Sequence, residues 1–140
     1  MKIMDLQELR LIEASAINIT FKQNSLVKGK GSIKVDYGTV EFEAGGHLVD
    51  KPEAGVLAMR ASPCIRGFQG DQEHIDGKEE FFLQIEIRLV FVFDSKSEMS
   101  QDFILENSWY FSSFIRTFFK NFADDILKNT TLNGIKLQLN

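Results

Sequence analysis

Residues 81–93 read FFLQIEIRLVFVF, and every odd-numbered position in this stretch is apolar. Gln84, Glu86 and Arg88 occupy the middle of the even-numbered face. A repeat of two residues is typical of a β-strand that buries one face and leaves the other in polar surroundings. The stretch therefore predicts a long strand at residues 80–93, with its odd-numbered side chains in a hydrophobic core.

Three more strands are predicted before this one, at residues 8–23, 33–42 and 56–68, where apolar positions alternate between turn-forming clusters. Four strands in succession with short connections predict an antiparallel meander or a close variant. A change of apolar phase at Gly38 indicates a one-residue slip, and Pro63 indicates an edge strand or a bulge.

The first of these strands has a predicted inner face and a predicted bend. Glu13 and Ser15 interrupt its apolar alternation, which is typical of a bulge. The inner face is expected to carry Leu9, Leu11, Ile17, Ile19 and Phe21.

The C-terminal third predicts helices. Residues 108–128 have an apolar face of helical period, Asn107 is a suitable N-cap, and a short helix is expected at 98–105. The tail at 135–139 alternates again and is expected to be extended. The predicted fold class is α+β, with a four-stranded antiparallel sheet covered by a long C-terminal helix that a short helix precedes. Residues 1–140 are expected to form a single domain.

Aromatic residues are concentrated in this half of the chain. Ten of the thirteen phenylalanines lie between Phe81 and Phe122, which is more apolar surface than one sheet can cover. One helical stripe is assigned to the sheet, namely Phe111, Phe114, Ile115, Phe118, Phe122 and Ile126. A second stripe, which consists of Phe119, Ala123 and Leu127, is assigned to contact with an identical subunit. Phe103, Leu105, Trp109 and Tyr110 are the candidates for a partly open apolar groove.

Charge and composition exclude several classes of function. The net charge is −4 and the 16 basic residues are scattered, which argues against a nucleic-acid surface. No apolar run is long enough to cross a membrane, and the single Cys64 fits a reducing cytoplasm as a small buried side chain. His47 and His74 are expected to be solvated, so no metal, cofactor or catalytic residue is predicted. Arg116 borders the apolar helix face, where it either pairs with a carboxylate, stacks on a ring or is simply solvated.

The order of elements and three stretches resemble the SecB-like family of export chaperones. Residues 106–116, ENSWYFSSFIR, are similar to the family's helix start that leads to Pro-Tyr-x-Arg, with Arg116 at the arginine, Phe114 at the tyrosine and Ser113 in place of the proline. The opening strand LIEASAINITF, residues 11–21, resembles the family's first strand. The tail LNGIKLQLN, residues 132–140, is similar to the family's ending but has no proline.

The resemblance implies a non-enzymatic cytosolic holdase without cofactors, which forms a tetramer as a dimer of dimers. Its clients are unfolded precursor polypeptides, and its downstream partner is a translocase motor or a toxin–antitoxin pair. The client-binding candidates are Tyr37, Phe42, Phe103, Trp109, Tyr110 and Phe114. The alternatives are a binder of small apolar ligands or a hot-dog-like enzyme, and a structural oligomer associated with an antitoxin.

Overall fold

The computed structural model describes residues 2–3, 5–24, 31–48, 51–69, 79–94 and 97–130. Its strands are β1 (Lys2–Ile3), β2 (Arg10–Gln23), β3 (Gly31–Asp36), β4 (Glu41–Leu48), β5 (Lys51–Ala61), β6 (Cys64–Gln69), β7 (Glu79–Asp94) and β8 (Ser97–Glu98). Its helices are a 3₁₀ turn (Leu6–Glu8), α1 (Gln101–Glu106) and α2 (Ser108–Leu127). The loop with His74 and the predicted tail at 135–139 lie outside the described residues.

Strand β7 is the centre of a curled antiparallel sheet because it pairs along both edges. Strand β2 runs along one edge, while β6 and β5 follow each other along the opposite edge. Beyond them, β3 pairs with β6 and β4 pairs with β5. Strands β1 and β8 form a separate short parallel pair. The fold is therefore α+β, as predicted, with six strands rather than four in the main sheet.

The difference in strand number has a local cause in two predicted strands, each of which is broken in two. Between β3 and β4, Gly38 has a φ of +67°, and its amide donates a hydrogen bond to Asp36 Oδ1 at 2.9 Å. Between β5 and β6, the Pro63 carbonyl accepts a hydrogen bond from the Ile85 amide at 3.1 Å. The phase change at Gly38 thus marks a turn. Pro63 lies between two paired strands, so the edge-strand alternative is wrong and an interruption replaces it.

The sheet order differs from a simple meander. The segments that hold β3–β4, β5–β6 and β7 are neighbours in chain order, but β2 joins β7 instead of β3. This is a Greek-key order, in which the first strand closes beside the last. The predicted bend in β2 is confirmed by register shifts between Leu11 and Glu13 and between Ala16 and Asn18.

The predicted inner face of β2 is partly wrong. Leu9 is buried, and Leu11 and Phe21 are half-buried, but Ile17 is 44% exposed and Ile19 is 49% exposed. Ile17 is the extra residue of a bulge, so it has no cross-strand partner. Ile19 faces Ile85 but stands on an edge strand, where a neighbouring strand covers it from one side only.

The core lies between the odd-numbered face of β7 and helix α2. All seven odd-numbered side chains from Phe81 to Phe93 are buried, as the alternation predicts. At two cross-strand pairs a phenylalanine ring occupies the space above a glycine, Phe81 over Gly67 and Phe93 over Gly55. A glycine at such a position lets the opposing ring lie flat against the backbone of the neighbouring strand.

Helix α2 agrees with the predicted span and Asn107 occupies its N-cap position as predicted, but the expected contact of one stripe with a second subunit is wrong. Asn107 makes no side-chain hydrogen bond to the start of α2. Its amide instead donates to the Phe103 carbonyl at 2.9 Å, at the end of α1. Phe119, Ala123 and Leu127 are fully buried within one chain, so they leave no surface for a second subunit. The helix turns these three residues towards the sheet together with Phe111 and Ile115 of the predicted stripe, whose other members are only half-buried.

Candidate functional site

Helix α2 presents three parallel rows of side chains, because residues four apart lie on one face of a helix. The central ridge is buried against the sheet and consists of Phe111, Ile115, Phe119, Ala123 and Leu127. On one side of it runs the aromatic flank, defined here as Tyr110, Phe114, Phe118 and Phe122. On the other side runs the charged flank, defined here as Ser112, Arg116, Lys120 and Asp124.

The aromatic flank is a continuous series of half-buried rings. Tyr110 meets Phe114 edge to face at a centroid distance of 5.1 Å. Phe114 stacks on Phe118 at 6.5 Å, and Phe118 stacks on Phe122 at 6.1 Å. Each ring therefore buries one side against its neighbours and the core and retains exposed apolar surface on the other.

Trp109 begins this series at the start of α2. The indole is 65% exposed and meets Tyr110 edge to face at 5.8 Å. Phe111 connects Tyr110, at 5.5 Å, to Phe42 of strand β4, also at 5.5 Å. An exposed indole beside partly buried rings is an uncommon arrangement at a monomer surface and is typical of a binding surface.

Phe103 lies apart from this aromatic cluster, on α1. An open groove of about 580 Å³ runs beside it, between the 3₁₀ turn and α1, and Leu6, Asp102 and Glu106 are among its lining residues. The Ser100 hydroxyl caps α1 by accepting a hydrogen bond from the Phe103 amide at 3.1 Å. Leu105, on the same helix, is 64% exposed. Helix α1 and the start of α2 together thus carry three partly or largely exposed apolar side chains within seven residues, namely Phe103, Leu105 and Trp109.

Tyr37 lies on the opposite side of the central ridge. Its ring packs edge to face on Phe119 at 6.0 Å, and the Arg116 guanidinium lies 5.2 Å from its centroid. Stacking of Arg116 on a ring, one of the predicted alternatives, is therefore observed. The stack covers part of the tyrosine with a cation.

The six candidates for client binding thus occupy three places. Trp109, Tyr110 and Phe114 lie together, with Phe42 joined to them through Phe111. Phe103 lines the groove beside α1, and Tyr37 lies next to the charged flank, under Arg116. Sequence reasoning did not separate these places because it lacked the order of the strands beneath the helix.

Two functional candidates were missed, Phe118 and Phe122, which were assigned to the sheet-facing stripe. The signal that identifies them is the unbroken spacing of four residues from Tyr110 through Phe114. A second missed feature is the edge strand β2, where Ile12, Ile17 and Ile19 are all exposed. Exposed apolar side chains on a long edge strand mark it as a pairing surface.

This collection of rings can bury apolar groups but offers few directional hydrogen bonds. It therefore suits a ligand defined by apolar area more than one defined by a fixed set of polar atoms. Within the described ranges, no group of three or more His, Cys, Asp or Glu residues is arranged to hold a metal ion. Nor does any described helix have both the length and the apolar character to span a membrane.

Comparison with solved structures supports the fold-level resemblance. The chain is similar to the SecB-like chaperone of Mycobacterium tuberculosis, solved in complex with a ChAD peptide from the HigA1 antitoxin, with a TM-score of 0.68. The match covers 96% of this chain and 91% of that one, at 9% sequence identity. No family model and no curated protein matches the sequence. The chain thus has a SecB-like fold.

Proposed function

We propose that this chain is a non-enzymatic chaperone of the holdase type, which binds extended apolar segments of unfolded polypeptides in the cytoplasm. The observation that carries the proposal is the aromatic flank together with the exposed indole of Trp109. Burying apolar surface is non-directional, so such a surface accepts many client sequences. The SecB-like fold supports the same class of function.

The client is proposed to bind at the N-terminal end of α2. Trp109, Tyr110 and Phe114 form the main contact, Phe42 extends it across the sheet, and Phe103 provides a second apolar contact across the turn between the helices. Tyr37 remains a candidate at the far side of the helix. A segment that spans both contacts would be extended, which fits an unfolded client.

The rest of the aromatic flank is proposed to contact further copies of the chain. Phe118 and Phe122 are half-buried and lie farther along α2 than the client contacts, and Ile126 continues their row. Strand β2 carries the exposed isoleucines and pairs with β7 alone among the described strands, so its other edge is proposed for the same purpose. One helix surface and one sheet edge give two distinct contacts, which is what a dimer of dimers requires.

Trp109 is the only tryptophan in the sequence, so its emission reports directly on the proposed site. Titration with a reduced, unfolded client protein is expected to shift the emission to the blue as the indole leaves water. The same protein is expected to slow the aggregation of that client in a light-scattering assay. An unchanged spectrum together with undiminished aggregation would refute the holdase proposal.

A matched pair of variants localises the site. Trp109→Ala is expected to weaken the binding of a fluorescein-labelled client, measured by anisotropy, about thirtyfold or more, because truncation of a central aromatic removes roughly 2 kcal/mol or more of contact energy. Ile12→Ala removes a comparable exposed apolar side chain from β2 and is expected to leave client affinity unchanged. Equal losses in the two variants would mean that binding is not centred on the start of α2.

The downstream partner is the finer part of the proposal. The similar mycobacterial chaperone holds an antitoxin peptide, and this favours a toxin–antitoxin pair over a translocase motor as the system that this chain serves. Saturation of the Trp109 signal by an antitoxin-derived peptide, at concentrations far below those needed for a generic unfolded client, is the expected result. Equal affinities would favour a general role in export.

A pocket for a small apolar ligand, as in the hot-dog-like alternative, needs free space between Phe114 and the sheet. Phe114 instead meets Phe91 of β7 edge to face at 5.4 Å. The rings themselves occupy that position, so a polypeptide on the open side of the flank is the better-supported ligand.

A further inference from the structure

The face of the sheet opposite α2 carries a transverse row of side chains, called here the basic row, which consists of Lys22, Phe82, Arg66 and Lys34. Lys22 pairs with Phe82, Phe82 with Arg66, and Arg66 with Lys34, each as a direct cross-strand partner. Directly opposed residues of antiparallel strands project to the same side. The Arg66 guanidinium lies 4.7 Å from the centroid of the Phe82 ring, as expected for side chains on one face.

The exposed charge of the basic row is positive. Lys22, Lys34 and Arg66 are exposed, and the carboxylate paired with them is that of Glu79, 2.8 Å from Arg66. Among the described residues, neither lysine has an ion-pair partner. Four strands at about 4.8 Å spacing place the two lysines about 14 Å apart, at the two ends of the row.

Two other carboxylates among the described residues lie two residues along the strands from the row, and neither forms an ion pair with a described residue of it. Asp36 accepts a hydrogen bond from the Gly38 amide at 2.9 Å, and that turn fixes its position. Glu80 is only 7% exposed. On the row itself, a partner that approaches from solvent meets three cations and the edge of a phenylalanine, with the exposed carboxylate of Asp36 beside Lys34.

A second row on the same face contains positive and negative side chains in equal number. It is called here the paired row. Arg60 and Arg88 are direct cross-strand partners, and Glu41 is the partner of Arg60 on its other side. Glu13 lies 3.3 Å from Arg88. In the paired row Arg88 is ion-paired and Arg60 has a carboxylate directly opposite it, whereas in the basic row Arg66 is ion-paired and the two lysines, among the described residues, are not.

We propose that the basic row is a docking site for an acidic, extended polypeptide segment of a partner protein. A strand-like segment laid across the four strands would place carboxylates over Lys22 and Lys34 and an apolar side chain near Phe82. The proposal goes beyond client holding, because this face lies on the other side of the sheet from the aromatic flank. The chain as a whole is acidic, with a net charge of −4, so an anionic partner would be attracted to the basic row specifically and not to the rest of the surface.

A nucleic acid is the other polyanion to consider, and the row suits it less well. Arg66 already covers the Phe82 ring, so the ring is not free to stack on a base. The net charge of −4 also repels a long polyanion once it extends beyond the row. A short acidic peptide avoids this repulsion because its charge ends with the row.

The test uses a short fluorescein-labelled polyglutamate peptide, with polyglutamine of equal length and an oligouridylate as comparison probes. Fluorescence anisotropy at low salt is expected to show binding of polyglutamate alone, with affinity that falls as salt is added because exposed charges are screened. The double variant Lys22→Gln with Lys34→Gln is expected to lose about fivefold or more in affinity. Arg60→Gln with Arg88→Gln removes the same charge from the paired row and is expected to change affinity less than about twofold.

Each outcome decides the proposal. Equal losses in the two double variants would mean that only overall charge matters, and preference for oligouridylate would assign the row to nucleic acid, so either result overturns it. Absence of polyglutamate binding overturns it as well. Amide chemical-shift changes confined to β2, β3, β6 and the neighbouring part of β7 on addition of polyglutamate would support it independently of any substitution. Client binding, followed by Trp109 emission, is expected to be the same in all these variants.

Discussion

The two flanks of helix α2 occupy equivalent positions beside the sheet, but their side chains are covered in different ways. Both border the same buried ridge, and both consist of side chains spaced four residues apart that are partly buried, apart from the exposed Arg116. On the charged flank, Arg116 stacks on Tyr37, and Lys120 pairs with Asp124 at 2.8 Å. On the aromatic flank, the rings contact one another and the core, and their outer surfaces remain open to water.

This difference separates what the chain completes by itself from what it leaves for a partner. Polar groups at the edge of a core are satisfied by pairing with each other or with water, and on the charged flank Asp124 Oδ1 is the exception, since it is buried without a hydrogen-bond partner among the described residues. The charged flank therefore gains little from further association. Apolar rings gain free energy whenever their remaining surface is covered, so the aromatic flank favours association. The asymmetry of the helix, more than its total aromatic content, is therefore the signal for binding.

The largest expected effect concerns the ridge between the flanks. Phe119→Ala removes a fully buried ring that packs on Tyr37, and it is expected to lower the free energy of unfolding by about 3–5 kcal/mol. Phe118→Ala, one residue away on the aromatic flank, is expected to cost less than half as much because that ring is only half-buried. Urea unfolding followed by circular dichroism measures both. Similar costs would show that ridge and flank are not distinct.

The assignment of Phe119 also shows how far the sequence determined the site. The alternation at 81–93 predicted the buried face of β7 correctly, since a strand repeat leaves only two choices of face. A helix leaves more than two choices of buried face. In α2 aromatic residues lie on several sides, so more than one stripe of them could face the sheet. Which stripe meets the sheet depends on the curl of the sheet beneath it, and sequence periodicity does not encode that curl.

The strands show the same limit. Gly38 and Pro63 were recognisable as irregular positions, but the partner of β2 was not, because pairing with β7 joins residues far apart in sequence. The assignment of Ile17 to the inner face failed because the first bulge moves that face to Ala14 and Ala16, and Ile17 is the extra residue of the second bulge, after which the original phase returns. Local chemistry thus predicted the elements and their breaks, while long-range pairing decided which apolar residues stayed exposed.

The next effect tests the open side of the comparison. The double variant Phe118→Gln with Phe122→Gln is expected to weaken self-association at least about tenfold, or ~1.4 kcal/mol, because the polar side chains remove apolar area that a second copy would cover. Sedimentation velocity over a range of protein concentrations measures the change. Arg116→Gln with Lys120→Gln is the matched control on the charged flank and should assemble like the wild-type chain.

Dissociation of the control variant on the charged flank would contradict the proposal that the aromatic flank forms the subunit contact. Unchanged assembly of the phenylalanine variant would contradict it as well. The folded state has to be verified first in each variant by its thermal unfolding transition. A monomeric wild-type chain would remove the subunit contact altogether and leave the whole aromatic flank to the client.

A smaller effect is expected from the stack of Arg116 on Tyr37. The guanidinium lies 5.2 Å from the ring centroid at a partly exposed site, where such a contact contributes about 0.5–1 kcal/mol. A double-mutant cycle with Arg116→Gln and Tyr37→Leu isolates this coupling from the other contacts of each side chain. A coupling near zero would mean that the charged flank is no better completed than the aromatic one.

The smallest effect is expected from the ion pair of Lys120 with Asp124. The pair is spaced i, i+4 on α2, with a nitrogen-to-oxygen distance of 2.8 Å and both side chains more than a quarter exposed. Pairs of this kind stabilise a helix by about 0.3–0.5 kcal/mol, and salt screens them. A second double-mutant cycle, with Lys120→Met and Asp124→Asn, measures this coupling by urea unfolding at low and high salt.

Lys128 with Asp125, a more exposed pair at 3.2 Å near the end of the same helix, is the control and is expected to show less coupling. Coupling between Lys120 and Asp124 that persists at high salt would mean that the pair is more shielded from solvent than its exposure indicates, which would make the charged flank part of the core and not its border.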